Sequence, residues 1–276
     1  MLSALGLSPA GLPRVAQAGD PLGALSAAAA AATGLPAGLP VTIGLGDNQA
    51  GFIGSVAERE ATVLVNVGTG AQVGRFTAQP LSAPEAELRP YPRGGALLVH
   101  AGLCGGRSYA ALEAFFRAVG HELLGQADPG PLYEAMNRLA RTVPPGASDL
   151  RCEPYFAGSR SDPDRRASWT GLSELNFTHA HFVRSLLEGM AVSLRAGAAG
   201  IDLALGRPAT KLVGAGNGLR ENPVLAEIVS QAFELPLAVP AHREEAAYGA
   251  ALSAGVGLGI WPDLAAAGQV IRYVAA

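Results

Sequence analysis

The chain has 276 residues, of which 49% are hydrophobic and 16% are charged. This balance predicts a folded core and excludes a largely disordered chain. The net charge of -3 at pH 7 argues against the basic surface that nucleic-acid or membrane binding requires, so neither partner is expected. Two cysteines, Cys104 and Cys152, are too few for a disulfide framework and are typical of a cytoplasmic protein.

The N-terminal part is expected to contain little regular structure. Residues 1–21 are rich in Gly, Pro and Ala and indicate a loop. Residues 25–33 are mostly alanine and predict a short helix, which ends at Gly34 because glycine adopts the left-handed conformation without strain. Residues 41–43 predict a buried strand, and residues 47–56 predict a helix with an acidic first residue.

A hairpin and one further strand are expected at the centre of a sheet. Residues 61–67 and 72–76 are apolar runs on either side of the small Gly-Thr-Gly turn at residues 68–70, and this pattern predicts a hairpin. Residues 96–99 predict the next strand, which leads to the glycine turn at residues 105–106.

The second half of the chain alternates helices with short strands. The helix expected over residues 108–119 has apolar side chains at three-four spacing, as a core-facing helix does. Residues 154–171 are polar and indicate a loop, and Thr178 is expected to cap a long helix that ends near residue 205. The other expected helices cover residues 132–141, 223–233 and 244–254, and the other expected strands cover residues 211–213 and 237–239. This order is typical of an α/β fold with helices packed on a central sheet.

The first turn that could carry chemistry precedes the helix expected at residues 47–56. Asp47 would lie beyond the carboxyl end of a strand, where ligands bind in open α/β sheets. A carboxylate there can accept the proton of an attacking hydroxyl group, as a general base does. Asp47 could instead be an N-cap that accepts hydrogen bonds from the first helical N–H groups, and the spacing leaves both interpretations open.

Two glycine turns are candidate phosphate or nucleoside sites. At residues 68–70 the small side chains let phosphate oxygens approach backbone N–H groups, with the Thr69 hydroxyl as a further donor; a plain hairpin turn would use the same residues. Residues 214–218, Gly-Ala-Gly-Asn-Gly, could let a flat purine lie against bare backbone. A tight strand-to-helix connection that binds no ligand would use the same residues. Neither turn is a Walker motif or a complete dinucleotide-binding motif.

Other chemistries find little support in the sequence. His179 and His181 are two residues apart and do not share a helical face, and the two cysteines lack the spacing of zinc ligands. No Gly-x-Ser-x-Gly motif of a serine hydrolase is present. The sequence therefore leaves any metal ligands undefined.

Taken in order, the turns resemble those of the FGGY carbohydrate kinases, and the resemblance covers residues 19–257. The motifs that carry it are 46–50 (GDNQA), 66–72 (NVGTGAQ), 154–160 (PYFAGSR), 214–217 (GAGN) and 245–251 (EAAYGAA). The resemblance implies an α/β fold of the actin-like ATPase and ribonuclease H-like type, with a mixed sheet flanked by helices. It also implies that a sugar and ATP, accompanied by Mg²⁺, meet in a cleft between two domains.

The resemblance assigns a role to each matching residue. Asp47 resembles the base that takes the proton from the sugar hydroxyl, and Asn48 resembles a residue that contacts the sugar. Gln72 would suit a hydroxyl-rich ketose. The nucleotide-binding residues implied are Gly68, Thr69 and Gly70 at the ATP phosphates and Gly214, Gly216 and Asn217 at the adenosine.

The sequences at residues 46–49, 103–107 and 176–178 look most like the sedoheptulokinase branch. This implies ATP-dependent phosphorylation of a sedoheptulose-like ketose at a terminal hydroxyl. One alternative is a pentulose kinase of the xylulokinase or ribulokinase type. Another is a non-catalytic fragment that binds nucleotide without transferring phosphate.

The resemblance also implies two domains. Residues 1–57 resemble the tail of the first, sugar-binding domain, and residues 58–276 resemble the complete second, nucleotide-binding domain. We therefore expect most of the first domain to be missing. Because the strand at residues 41–43 would then lack neighbours, we expect the chain to be unstable alone, to form homo-oligomers or to associate with a missing N-terminal kinase domain.

Overall fold

The computed structural model describes residues 2–128 and 130–275. In chain order its strands are β1 (Pro21–Ala24), β2 (Pro40–Thr42), β3 (Thr62–Val67), β4 (Gly70–Thr77), β5 (Glu87–Pro90), β6 (Ala96–Cys104), β7 (Arg151–Glu153), β8 (Ser168–Thr170), β9 (Lys211–Ala215), β10 (Leu237–Pro240) and β11 (Tyr273–Ala275). Its α-helices are α1 (Ala27–Thr33), α2 (Asp47–Ser55), α3 (Gly106–Ala118), α4 (Tyr133–Arg141), α5 (His179–Leu205), α6 (Asn217–Arg220), α7 (Pro223–Phe233), α8 (Glu245–Gly257) and α9 (Leu264–Gly268).

A seven-stranded mixed sheet, ordered β11-β10-β9-β3-β4-β6-β5, organises the protein. Strand β9 runs parallel to both β3 and β10, whereas β4, β6, β5 and β11 pair antiparallel with their neighbours. Because β3 and β9 are parallel neighbours, the turns that follow them meet at the same edge of the sheet. These are the two glycine turns that the sequence singles out.

Each face of the sheet packs against its own set of helices. Along β3, Val63 and Val65 belong to the core cluster that includes residues of α3, α4, α5 and α7, whereas Leu64 belongs to the cluster that includes residues of α2, α8 and α9. This is the two-residue alternation expected of a strand that is buried on both faces. The predicted layering of helices on both sides of a sheet is confirmed.

Helix ends follow the expected local chemistry. The Thr178 side chain accepts a hydrogen bond from the His181 N–H and caps α5, which ends at Gly206 in the left-handed conformation. Gly34 ends α1 in the same way. Both boundaries therefore agree with the sequence-based expectation.

The strand predicted at residues 41–43 is present as β2, but the prediction that it is buried was wrong. The strand there, β2, pairs antiparallel with β1 in a separate two-stranded sheet, and its residues are exposed or half-buried. The expected loop at residues 1–21 reaches into β1, which has only four residues and includes a Pro and a Gly. The sequence of so short a strand shows no alternation of apolar and polar residues, because the strand is defined by its pairing with β2.

The other missed elements are short. The stretch expected as a loop at residues 154–171 contains β8, which pairs with β7, and the edge strands β5 and β11 have four and three residues. Strand β6 continues past residue 99 because residues 100 and 101 still pair with β4. Gly102, with a positive φ of 77°, lies where the register shifts before pairing resumes at Leu103. Across the described residues, no helix combines the length and the apolar character needed to cross a membrane.

Candidate functional site

The two glycine turns lie side by side. The tip of the β3–β4 hairpin, residues 68–70, follows β3, and the glycine elbow, residues 214–218, begins within the end of β9. Asn66, two residues before the tip, pairs with Ala215 of the elbow. Gly216 has a φ of 83°, and a side chain there would overlap the Val67 carbonyl oxygen. Glycine is therefore required for the elbow to approach β3 this closely.

A cavity of about 710 Å³ opens between these turns and is called the first cavity here. Its volume lies within the usual range for small-molecule sites. Of the six residues expected to bind nucleotide, Gly68, Thr69 and Asn217 line it, whereas Gly70, Gly214 and Gly216 do not. The other lining residues are Val67, Gly106, Tyr109, Ala110, Tyr133, Glu134, Asn137, Leu187, Met190, Gly218, Glu221, Asn222 and Leu225.

Two tyrosines form a wall of the first cavity that the sequence analysis missed. The rings of Tyr109 and Tyr133 are stacked, with centroids 5.7 Å apart, and the Tyr109 hydroxyl donates a 2.7 Å hydrogen bond to Asn137 Oδ1. Burial raises the pKa of Tyr109, so this hydroxyl stays protonated as a donor. The sequence contains one signal for this wall: Tyr109 lies three residues before Leu112, on the same side of α3 as its apolar residues.

The hairpin tip is held by the first turn of α3. The N–H of Gly106 donates to the Gly68 carbonyl oxygen at 2.8 Å, and the N–H of Arg107 donates to the Thr69 carbonyl oxygen at 3.0 Å. Both N–H groups belong to the first helical turn and have no partner within the helix. The tip is thereby fixed while Thr69 remains exposed at the mouth of the first cavity.

Asp47 is the first residue of α2 and is exposed. The N-cap is Gly46, and Asp47 Oδ1 accepts a 2.7 Å hydrogen bond from the N–H of Asn48. The alternative interpretation of Asp47 as an N-cap was therefore wrong by one position. Asp47 and Asn48 do not line the first cavity, and Asn48 Oδ1 is buried without a hydrogen-bond partner among the described residues.

Gln72 occupies the sheet face that packs against α2 and α8. Gln72 stands opposite Asn66 on β3 and Ala101 on β6. It lies four residues before Phe76 on β4, and side chains an even number of residues apart on a strand share a face. Phe76 belongs to the core cluster on that face. Gln72 does not line the first cavity. None of the three residues expected to contact sugar therefore lines the first cavity.

A mostly buried ion pair and a helix crossing connect the two groups. Arg220 of α6 bonds Glu245 of α8 at 2.6 Å, with the two side chains only 11% and 13% exposed. Helix α8 then crosses α2 so closely that a side chain on Gly249 would overlap the Ala50 carbonyl oxygen. The elbow is thus joined through α8 to the helix that begins with Asp47.

Comparison with known families gives two matches that together cover most of the chain. The C-terminal domain of the FGGY family of carbohydrate kinases matches residues 63–258. The N-terminal domain of the same family matches residues 1–54.

Individual relatives agree with these matches. An autoinducer-2 kinase of Salmonella choleraesuis is 30% identical over 290 residues, which is 99% of this chain and 52% of the relative. The crystal structure of a xylulose kinase from Rhodospirillum rubrum is 28% identical with a TM-score of 0.83, over 99% of this chain and 54% of that one. The chain thus spans about half the length of the proteins it matches.

The structure of Plasmodium falciparum glycerol kinase with ADP has a TM-score of 0.71 at 21% identity, over 87% of this chain and 47% of that one. At this identity the likeness concerns the fold alone. Together with the xylulose kinase it confirms the expected actin-like α/β fold with a mixed sheet flanked by helices.

Proposed function

The chain belongs to the FGGY family of carbohydrate kinases, and from this premise we propose that it provides the nucleotide-binding part of an enzyme that phosphorylates a sugar with ATP. The observation that carries the proposal is the first cavity, which the hairpin tip and the glycine elbow both line. Phosphoryl transfer depends mainly on positioning and on charge stabilisation. The hairpin tip consists of small residues, is held in place and borders a pocket large enough for a nucleoside. This arrangement supplies the positioning.

We assign the nucleotide by its contacts with the two turns. The adenosine would lie in the first cavity against Asn217 and the tyrosine wall, and the phosphates would extend over Gly68 and Thr69. The family of carbohydrate kinases to which the chain belongs supports a nucleotide as the ligand. Gly70, Gly214 and Gly216 would then shape the two turns without lining the cavity.

Mg²⁺ is proposed to arrive with the nucleotide. No group of three or more His, Cys, Asp or Glu side chains that could hold a metal is present in the part of the chain that the structure describes. Mg²⁺ usually retains several waters and binds substrate phosphates with one or two carboxylates. Its charge would stabilise the phosphates, while residues of this chain hold the nucleotide.

Asp47 is proposed as the general base, with Asn48 beside it on the sugar. The sugar hydroxyl oxygen would bond to the terminal phosphorus of ATP while the bond from that phosphorus to the bridging oxygen breaks. ADP would leave, and the hydroxyl proton would pass to the Asp47 carboxylate. The exposed carboxylate at the start of α2 is accessible for this role.

For the sugar, a five-carbon ketose is the better-supported proposal. The xylulose kinase relative supports the pentulose alternative, whereas sedoheptulose, which the motifs suggest, has no support among the relatives described above. Gln72 would contribute a polar contact for either ketose. We further propose that residues 1–57 belong to the sugar-binding domain, that residues 58–276 form the nucleotide-binding domain, and that the enzyme acts in the cytoplasm.

Two measurements on the same preparation test the proposed function. Calorimetry with ADP and Mg²⁺ should show binding, and a coupled assay of ADP release should show turnover with xylulose or ribulose in preference to sedoheptulose. Binding without release from any ketose would favour the non-catalytic nucleotide-binding alternative. Absence of ADP binding would contradict the proposal itself.

A further inference from the structure

A second cavity also borders the hairpin tip. It has a volume of about 420 Å³ and shares Thr69 with the first cavity. Its other lining residues are Gly70, Gly102, Leu103, Cys104, Gly105, Arg107, Ser108, Pro154, Ala157, Gly158, Ser159 and Arg160. The two cavities therefore meet at Thr69, and the second is lined by two arginines, Arg107 and Arg160.

The charges of these two arginines are differently engaged. Arg160 forms a 2.8 Å ion pair with Glu87, so its charge is already compensated. Arg107 is exposed, and among the described residues no carboxylate lies within ion-pair distance of it. Arg107 is therefore the cation of the second cavity that is available to an anion.

The position of Arg107 opposes the usual preference of a helix. It is the second residue of the thirteen-residue helix α3, where the helix dipole favours a negative side chain and disfavours a positive one. A local arrangement that costs stability without a compensating partner is typical of functional sites. The arginine would gain its partner when an anion binds.

The backbone of α3 cannot replace this side chain. The N–H groups of Gly106 and Arg107 are both occupied by carbonyl oxygens of the hairpin tip. The Ser108 hydroxyl donates to the Pro154 carbonyl oxygen at 2.7 Å. An anion in the second cavity would therefore depend on the Arg107 guanidinium for charge, with Thr69 as a neighbouring hydroxyl donor.

We propose that Arg107 binds the terminal phosphoryl group of ATP, the group that is transferred, in the second cavity. This inference rests on the proposed function, which places the inner phosphates over Gly68 and Thr69. One guanidinium group can donate two parallel hydrogen bonds to the oxygens of one phosphate, and such charge-assisted hydrogen bonds are among the strongest in proteins. Arg107 would thus distinguish ATP from ADP.

The test compares two nucleotides on the chain as it exists. Calorimetry with Mg²⁺ measures the dissociation constants of ADP and of the β,γ-imido analogue of ATP. In Arg107→Ala we expect about 10- to 100-fold weaker binding of the analogue, with ADP binding unchanged within about twofold. Arg107→Lys should bind the analogue with intermediate affinity, because lysine keeps the charge and loses the paired geometry.

Controls separate the possible failures. Arg151→Ala removes an exposed arginine that lines neither cavity and should leave both dissociation constants unchanged. The melting temperature of Arg107→Ala should not fall, since an unfavourable charge is removed from the helix. Equal losses for both nucleotides, or no loss for the analogue, would overturn the role of Arg107 alone. If the unmodified chain binds neither nucleotide, the proposed function fails with it.

Discussion

The two sides of the site differ in how much of the fold supports them. The first cavity is enclosed by residues of the hairpin tip, α3, α4, α5, the elbow and α7, and both of its turns are fixed by backbone contacts. The proposed sugar side depends on Asp47 at the exposed start of α2, a helix that crosses α8 closely and is buried only from Ala50 onward. Binding and chemistry should therefore respond differently to substitution.

The largest expected effect comes from Asp47→Asn. The amide keeps the shape of the side chain but cannot accept the hydroxyl proton, so turnover should fall about 10²- to 10⁴-fold, the usual contribution of a general base. The dissociation constant of ADP should stay within about twofold, because Asp47 does not line the first cavity. Coupled ADP-release assays and calorimetry measure the two quantities. Turnover that survives the substitution would remove Asp47 from its proposed role.

The connection between the two sides should also be sensitive. Glu245→Ala would leave the mostly buried Arg220 guanidinium without its carboxylate partner, and we expect the free energy of unfolding to fall by about 3 kcal/mol. Glu227→Ala is the matched control, because its ion pair with Arg141 is half exposed on both sides and is worth at most about 1 kcal/mol. Urea titration of the two variants gives the comparison.

If Glu245→Ala and Glu227→Ala lower the free energy of unfolding equally, the Arg220–Glu245 pair does not stabilise the fold as its burial suggests. If Glu245→Ala lowers stability as expected, ADP affinity and turnover should both decline. That result would distinguish it from Asp47→Asn, which is expected to change turnover alone.

The same contrast explains what the sequence could predict. The hairpin tip and the elbow are local: each is defined by consecutive small residues next to a strand, and the parallel pairing of β3 and β9 brings them together. The tyrosine wall comes from α3 and α4, which meet through packing, so no single stretch of sequence identifies it. Arg107 belongs to the motif at residues 103–107, but the sequence cannot show that its charge lacks a carboxylate partner, because the residues around it in the second cavity come from distant parts of the chain.

Alkaline pH should weaken the core beneath the first cavity. Cys152 packs in the same core cluster as Leu187 and Met190, which line that cavity, and burial raises the pKa of this thiol to about 12. Above the ordinary thiol pKa, the unfolded chain loses a proton that the folded chain keeps. The free energy of unfolding should therefore fall as pH rises, by about 1 kcal/mol between about pH 8 and about pH 10 for this residue.

The control for this pH dependence is Cys152→Ala. Burial also raises the pKa of Cys104, to about 11, so some loss of stability should remain in the variant. Urea titrations across the pH range should nevertheless give a shallower fall than in the unmodified chain. An identical slope in both proteins would show that Cys152 does not hold its proton as its burial implies.

The smallest expected effect concerns the tyrosine wall. Tyr109→Phe keeps the ring but removes the donor to Asn137 Oδ1, so the free energy of unfolding should fall by about 1 kcal/mol. Tyr133→Phe is the matched control: its hydroxyl has no side-chain or backbone partner in the described chain, and its removal should cost less than about 0.5 kcal/mol. Both variants retain the stacked pair of rings, so ADP affinity should change little in either. Equal costs would mean that ring packing, and not the hydrogen bond, fixes α3 against α4, and the first cavity would then be less rigid than its hydrogen bonds suggest.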